Sequence, residues 1–137
     1  MYSALTKIRV NYSQVDQMGY VFFGNYPAIY DIGRTELLRE LDMTPAQLEK
    51  QGIMLPVRNL QSKYYQPALY DELLTVKTTL TDISPLRLNF QFEIFNSKKN
   101  LINFGKLQLI FVDKHSRNPR RSNDIAEKLM QKIHQHV

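Results

Sequence analysis

The segment Asp16-Gln-Met-Gly-Tyr-Val-Phe-Phe-Gly-Asn-Tyr-Pro-Ala-Ile-Tyr30 leads from an acidic turn into the clearest helix of the chain. Asp16 lies three positions before Gly19, a short apolar run follows, and the helical pattern then begins. The first N–H groups of a helix have no partner inside it, and its dipole is positive there. A carboxylate beside such an amino end has the means to attack a carbonyl while backbone N–H groups hold the oxyanion.

The helix that follows has one apolar face. Counted from Tyr26, apolar residues recur at spacings of 3, 4, 7, 11, 12 and 15, one stripe of a helical period. The residues of this face are Ile29, Tyr30, Gly33, Leu37, Leu38 and Leu41. Gly33 is small enough to let the helix approach a sheet closely. Asn25 before Tyr26-Pro27 is typical of a helix start, because Pro is tolerated in the first turn.

The pattern changes to a period of two after this helix. Apolar and polar residues alternate over residues 74–80, 86–94 and 107–111, which predicts strands with one buried face. Two more strands are expected at residues 7–12 and, with a less regular pattern, at residues 54–65. Gly105 lies where the alternation slips by one residue, which indicates a bulge.

Shorter signals fill the rest of the chain. Thr44-Pro-Ala-Gln47 predicts a capping box that opens a short helix to about residue 51, where Gly52 stops it. Residues 96–100 predict a hairpin turn, and residues 122–137 a terminal helix. The order is a strand, a long helix and four strands in an antiparallel meander. We therefore expect an α+β fold, a curved sheet wrapped around one long helix, in a single domain over residues 1–137.

Composition narrows the classes of function. Of the 137 residues, 43% are hydrophobic and 23% charged, and the lack of cysteine excludes disulfides, Cys zinc sites and a Cys nucleophile. We expect a soluble cytoplasmic protein, because neither a signal peptide nor an apolar run of about 20 residues is found. The net charge of +5 favours anionic partners. No aromatic residues interleave the basic ones in a stripe, which argues against nucleic acid.

Further positions combine with the opening segment into a family pattern. They are Asp16, Gly19, Val21, Asn25, Tyr26, Arg34-Thr35-Glu36, Pro67, Tyr70-Asp71-Glu72 and the stretch from Phe111 to Arg121. Over residues 6–130 or so, the chain resembles the hotdog-fold thioesterases, above all the acyl-CoA thioesterases related to 4-hydroxybenzoyl-CoA thioesterase. The resemblance implies hydrolysis of an acyl-CoA or acyl-carrier thioester, without a cofactor, by a homodimer or homotetramer.

The resemblance also implies roles for residues around the helix start. Asp16 would be the catalytic carboxylate, either as nucleophile on the thioester carbonyl or as general base for water. Backbone N–H groups near Phe23 and Gly24 would polarise that carbonyl, with Gly19 and Asn25 shaping the site. Related sequences often carry a histidine at the position of Phe23, so no imidazole role is carried over. The acyl chain and pantetheine would lie at the subunit interface.

Substrate contacts are expected from two groups of residues. Tyr26 and Tyr30 are core candidates, one of whose hydroxyls would reach the site. The candidates for the phosphates of CoA are Arg87, Arg117, Arg120 and Arg121, because guanidinium forks fit phosphate oxygens. No metal site is expected, since the histidines all lie near the carboxyl end.

Other interpretations of the same residues stay open. Asp16 to Gly19 is also a common turn pattern, and Asn25 is more often a helix cap than a catalytic group. A non-catalytic module that holds acyl-CoA or an acyl carrier would use the same pocket. Hotdog dehydratases rely on a histidine near the helix start, which this chain lacks.

Overall fold

A computed structural model describes residues 1–136, which form a five-stranded sheet, a two-stranded sheet and three α-helices. The strands are β1 (Tyr2–Arg9), β2 (Ile53–Met54), β3 (Val57–Tyr64), β4 (Leu73–Ile83), β5 (Arg87–Phe95), β6 (Leu101–Ile110) and β7 (Val112–Asp113). The helices are α1 (Tyr26–Glu40), α2 (Pro45–Lys50) and α3 (Asn123–Gln135). The α+β class expected from the sequence is confirmed.

The large sheet is antiparallel, with the strand order β1-β4-β5-β6-β3. The predicted four-strand meander is therefore wrong. Only β4, β5 and β6 follow one another, and β3 crosses to the far edge, where Tyr64 lies opposite Asn103 of β6. Alternation of side chains predicts that a strand has a buried face, but it does not indicate which strand lies beside it.

Helix α1 lies on the inner face of the sheet and supplies much of the core. All six residues of its predicted apolar face are buried. Gly33 permits close contact with β4, because a Cβ at this position would collide with the hydroxyl of Thr78. One turn earlier, the ring of Tyr30 stacks on Phe92 of β5, with centroids 4.6 Å apart. The helix and the sheet thus pack as the periodicity predicted.

Two predicted strands have different bounds in the structure. The first strand covers Tyr2–Arg9, and Tyr12–Gln14 form a 3-10 turn instead of continuing it. The strand expected over residues 54–65 is divided into β2, which pairs with β7, and β3, which pairs with β6. Pro56 lies between these two strands. It interrupts the strand because proline has no backbone N–H to donate to a sheet ladder.

Gly105 does not form the predicted bulge. It is paired regularly, with Phe92 of β5 on one side and Ser62 of β3 on the other. The pairing of β5 with β6 slips instead at the end of β5. A Cβ on Gly105 would lie 2.7 Å from the hydroxyl oxygen of Tyr30. Glycine is therefore required here to make room for a helix side chain.

The short helix α2 and the hairpin agree with their sequence signals. Thr44 and Gln47 form the reciprocal capping box of α2, with backbone-to-side-chain hydrogen bonds of 3.2 and 2.7 Å. Gly52 follows α2 in the left-handed region, with φ of +83°. The turn at residues 96–100 closes through the N–H of Asn96, which donates to the carbonyl of Asn100 at 3.0 Å.

Helix α3 corresponds to the predicted terminal helix. It begins one residue later than expected and ends at Gln135, while Val137 lies outside the described residues. Its buried side chains are Ile125, Ala126 and Leu129. Among the helices formed by residues 1–136, none combines the length and the apolar character that a membrane crossing requires.

Candidate active site

Asp16 lies in a tight turn of the chain before α1. Its backbone N–H donates to the carbonyl of Tyr20 at 2.8 Å. Its carboxylate Oδ1 accepts the N–H groups of Met18 at 2.9 Å and Tyr20 at 3.3 Å. Gly19 completes the turn with φ of +79°, in the region that favours glycine. The turn role that the sequence left open for Asp16 is therefore present.

The turn uses only one oxygen of the Asp16 carboxylate. Within residues 1–136, no hydrogen bond engages its Oδ2, and the residue is exposed. Hydrogen bonds to Oδ1 fix the direction of the carboxylate while Oδ2 stays accessible. A structural and a chemical role are thus compatible in the same side chain.

Gln14 holds the turn against the start of α1. Its carbonyl accepts the N–H of Phe22 at 2.9 Å and the side-chain amide of Asn25 at 2.8 Å. Asn25 does occupy the N-cap position, but its side chain makes no cap hydrogen bond with the helix. The helix therefore begins at the cap position that the sequence favoured for Asn25, while the Asn25 amide joins the Asp16 turn to the helix.

Two backbone N–H groups are free at the point where α1 begins. A single 3-10 turn, Phe23–Asn25, leads into the helix. Across the described chain, no acceptor is found for the N–H groups of Phe23 and Gly24. Free N–H groups are expected at the start of a helical segment, and both residues are exposed. These are the two donors that the sequence predicted for an oxyanion.

Gly24 allows an aromatic ring to lie against the helix start. A Cβ on Gly24 would be 2.7 Å from the ring of Phe22. The rings of Phe22 and Phe23 lie 4.6 Å apart and are 45% and 66% exposed. Phe23 thus offers a backbone N–H beside an apolar surface.

Tyr64, at the end of β3, contacts the same helix start. Its hydroxyl donates to the carbonyl of Phe23 at 3.2 Å. Its ring makes an edge contact with the ring of Tyr26, with centroids 5.2 Å apart. A strand from the far edge of the sheet therefore contacts the backbone that carries the free N–H groups.

Tyr26 and Tyr30 lie in the core, as the sequence favoured. They are 2% and 1% exposed. The Tyr30 hydroxyl is hydrogen-bonded to Ser62 at 2.6 Å and to the side-chain carbonyl of Asn103. Burial raises the pKa of Tyr30 to about 12 and also raises the pKa of Tyr26. The Tyr30 hydroxyl is thus used to hold α1 against β3 and β6.

The Tyr70-Asp71-Glu72 motif supports the Asp16 turn. The N–H of Tyr70 donates to the carbonyl of Gly19 at 3.0 Å. The Glu72 carboxylate accepts the N–H of Leu69 at 3.1 Å and the hydroxyl of Ser97 at 2.8 Å. Burial opposes ionisation, but the hydrogen bonds from Leu69 and Ser97 outweigh it and hold the pKa of Glu72 below its ordinary value.

Four arginines surround one cavity of about 410 Å³, which we call the arginine cavity. Its lining is Arg58, Arg87, Arg120 and Arg121 together with Leu86, Ile110, Phe111 and Pro119. Arg120 lies 3.8 Å from the Asp113 carboxylate, and Arg121 donates to the side chain of Asn123 at 3.0 Å. In the described chain, Arg58 and Arg87 form no ion pair. Three of the four predicted phosphate ligands are thus brought together.

Arg117 lies outside the arginine cavity. It borders a neighbouring cavity of about 520 Å³ whose walls are mostly apolar. Its φ of +66° belongs to the turn between Asp113 and Asn118, in which the Arg117 N–H donates to the carbonyl of Asp113 at 2.9 Å. Arg117 is therefore separated from the arginines with which the sequence grouped it.

Comparison with known proteins shows the family. A family model described as the thioesterase-like superfamily matches residues 10–133. The chain belongs to this superfamily. The putative acyl-CoA thioesterase YneP of Bacillus subtilis (strain 168) is 31% identical to this thioesterase-like protein over 119 residues, which are 87% of this chain and 86% of the relative. The acyl-CoA thioester hydrolase YbgC of Escherichia coli O6:H1 is 31% identical over 113 residues, which are 82% and 84% of the two chains.

A solved structure agrees with these relatives. The DHNA-CoA thioesterase from Staphylococcus aureus matches the thioesterase-like protein with a TM-score of 0.90 and 30% identity, over 98% of this chain and 93% of that one. The hotdog fold and the acyl-CoA thioesterase family expected from the sequence are thereby confirmed. The expectation of a thioester hydrolase is confirmed at the level of the family.

Three contributors to this region carry no signal that the sequence alone reveals. Gln14 acts through its backbone carbonyl, which no side-chain pattern reveals. Tyr64 lies in a strand, where an aromatic residue is typical of a buried position. Arg58 follows Pro56 at the start of β3, and only the pairing of β3 with β6 brings it near the other arginines.

Proposed function

We propose that this protein hydrolyses an acyl-CoA thioester to a free acid and the CoA thiol. One observation carries the proposal: the Gln14 carbonyl joins a turn with a free Asp16 carboxylate oxygen to a helix start with free N–H groups. Thioester hydrolysis requires a group that attacks the carbonyl or activates water, and donors that stabilise the oxyanion. Membership of the superfamily and the two named relatives support the same reaction.

Asp16 would act on the thioester carbonyl by one of two routes. As a nucleophile, Oδ2 adds to the carbonyl carbon, the thiolate leaves, and water then hydrolyses the resulting mixed anhydride. As a general base, the carboxylate takes a proton from water, whose oxygen adds to the same carbon before the thiolate leaves. In both routes, negative charge develops on the carbonyl oxygen. The N–H groups of Phe23 and Gly24 would stabilise this charge.

The arginine cavity would hold the phosphates of CoA. Guanidinium groups donate hydrogen bonds in a planar fork that fits two phosphate oxygens at once. The cavity combines such groups with apolar contacts from Leu86 and Phe111. Arg58 and Arg87 are the first choice for this role, because they have no carboxylate partner within residues 1–136.

Strand β3 would join two copies of the chain into a homodimer. It pairs with β6 on one side and with no strand of the described chain on the other. Three of its apolar side chains, Val57, Leu60 and Tyr64, are 58%, 39% and 50% exposed. An open strand edge with exposed apolar side chains is a template for pairing with another strand.

The decisive experiment is the release of free thiol from short, long and aromatic acyl-CoAs. It compares the wild type with Asp16→Asn and with the exposed control Asp124→Asn. Asparagine retains an oxygen for the N–H groups of Met18 and Tyr20, so the turn is kept while the negative charge is lost. We expect kcat of Asp16→Asn to fall about 10²-fold or more, with the control unchanged.

Two other results would change the conclusion. Turnover by Asp16→Asn at the wild-type rate would remove Asp16 from the mechanism. Tight binding of acyl-CoA by the wild type without thiol release from any substrate would favour a non-catalytic acyl-CoA binding module.

A further inference from the structure

A single peptide group links Tyr64 to one of the free N–H groups. The carbonyl of Phe23 and the N–H of Gly24 belong to the same peptide bond. The carbonyl accepts the hydroxyl of Tyr64 at 3.2 Å. The N–H at the other end of this peptide has no acceptor in residues 1–136, and it belongs to Gly24, an exposed residue.

A hydrogen bond at one end of a peptide changes the other end. The peptide is planar and its electrons are delocalised, so a donor at the carbonyl oxygen draws electron density away from the nitrogen. The N–H then becomes a stronger donor, as in chains of hydrogen bonds that polarise one another. The same bond also fixes the plane of the peptide and hence the direction in which the N–H points.

We propose that Tyr64 is a positioning residue that orients and strengthens the oxyanion donor Gly24. The inference rests on the proposed thioester hydrolysis and adds a residue to it. Tyr64 acts only through the peptide between Phe23 and Gly24 and takes no part in the bonds that form and break. Its effect belongs to the transition state, because the carbonyl oxygen of the substrate gains negative charge only there.

The packing of Tyr64 separates its hydroxyl from its ring. The ring contacts Tyr26, which is buried, while Tyr64 itself is 50% exposed. Removal of the hydroxyl alone therefore leaves the aromatic contact intact and buries no unsatisfied group. Tyr64→Phe is accordingly a test of one hydrogen bond and not of the fold.

The experiment compares Tyr64→Phe with Tyr65→Phe in two independent measurements. Tyr65 is the next residue, is 54% exposed, and its hydroxyl makes no hydrogen bond in the described chain. Steady-state kinetics on one acyl-CoA measure kcat and KM. The amide nitrogen chemical shift of Gly24, measured by NMR without substrate, reports hydrogen bonding at the carbonyl of Phe23.

We expect Tyr64→Phe to lower kcat about three- to tenfold, with KM and the melting temperature unchanged. The amide nitrogen chemical shift of Gly24 should differ from the wild-type value in Tyr64→Phe and equal it in Tyr65→Phe. An unchanged kcat in an active protein, a rise in KM alone, or a lower kcat without movement of the Gly24 shift would each overturn the inference. A wild type that releases no thiol from any acyl-CoA would overturn the proposed function, and this inference with it.

Discussion

The hydroxyl of Tyr30 connects three elements inside the core. Tyr30 belongs to α1, while its partners Ser62 and Asn103 belong to β3 and β6. Asn103 is fully buried, and Gly105 leaves the space that the Tyr30 ring occupies. When a buried amide loses its hydrogen-bond partner, no water replaces that partner, and the unsatisfied amide destabilises the folded state. This network therefore attaches the edge strand β3 to the helix.

Tyr30→Phe should lower the free energy of unfolding by about 1–3 kcal/mol, since it leaves the carbonyl of Asn103 with one donor fewer in a buried site. Urea unfolding at neutral pH measures the change. Tyr12→Phe is the matched control, because Tyr12 is 79% exposed and should tolerate the change. Equal stability of Tyr30→Phe and the control would mean that the network contributes nothing.

The contribution of Tyr30 should also depend on pH. Burial raises its pKa from 10.0 to about 12, so the folded state keeps a proton that the unfolded state loses above pH 10. The stabilisation is therefore fully present below pH 10 and is lost as the pH rises from 10 to 12. The stability difference between the wild type and Tyr30→Phe should shrink across this range. A constant difference would contradict the shift.

Arg58 is the residue through which the arginine cavity is best tested. Arg58→Ala should raise KM for acyl-CoA several-fold with little change in kcat, because contacts with the phosphates bind ground and transition states equally. The effect should weaken as ionic strength rises. Lys128→Ala is the control, since Lys128 is an exposed cation on α3 and does not line the cavity. An unchanged KM would show that Arg58 does not bind the phosphates of CoA.

At the scale of elements, the sequence predicted what depends on neighbours along the chain. The apolar face of α1 and the Thr44 capping box were correct, because helix periodicity and caps are local. The position of β3 was not predicted, because it depends on pairing between distant parts of the chain, such as Tyr64 with Asn103. The same contrast between local patterns and long-range pairing explains why the sequence identified Asp16 and not Arg58. The motif identified Asp16 locally, whereas Arg58 joins the other arginines only through the pairing of strands.

The contact of α1 with β4 depends on Gly33. Gly33→Ala should raise helix propensity by about 1 kcal/mol, but a Cβ would collide with the hydroxyl of Thr78. We expect a net loss of about 1–3 kcal/mol in the free energy of unfolding, as for other overpacked cores. Urea unfolding measures it, and the variant should unfold at a lower midpoint than the wild type.

Thr78 provides the control for this packing. Its buried hydroxyl has no hydrogen-bond partner within residues 1–136, so Thr78→Ala removes the colliding atom without breaking a hydrogen bond. In the Thr78→Ala background, Gly33→Ala should cost less than in the wild type. The same cost in both backgrounds would show that another contact limits the approach of the helix.

At the scale of the whole molecule, the two parts of the proposed site lie at opposite ends of β3. Tyr64 at one end contacts the helix start, and Arg58 at the other end borders the arginine cavity. Six residues of extended strand span about 20 Å. If two copies pair antiparallel through β3, the Arg58 end of one copy lies beside the Tyr64 end of the other. Dimer formation would then bring two arginine cavities close to two Asp16 turns.

Leu60→Lys should therefore weaken both assembly and activity. Leu60 lies in the middle of β3 and is 39% exposed, so a lysine there would place two like charges near the axis of the paired strands. Leu5→Lys is the matched control, because Leu5 is 67% exposed on β1, the opposite edge of the sheet.

Sedimentation velocity measures assembly, and thiol release measures activity in the same samples. We expect a dimer for the wild type and Leu5→Lys, and a monomer with a raised KM for Leu60→Lys. A Leu60→Lys monomer with wild-type kinetics would show that each chain holds a complete site. A stable Leu60→Lys dimer would show that β3 does not form the interface.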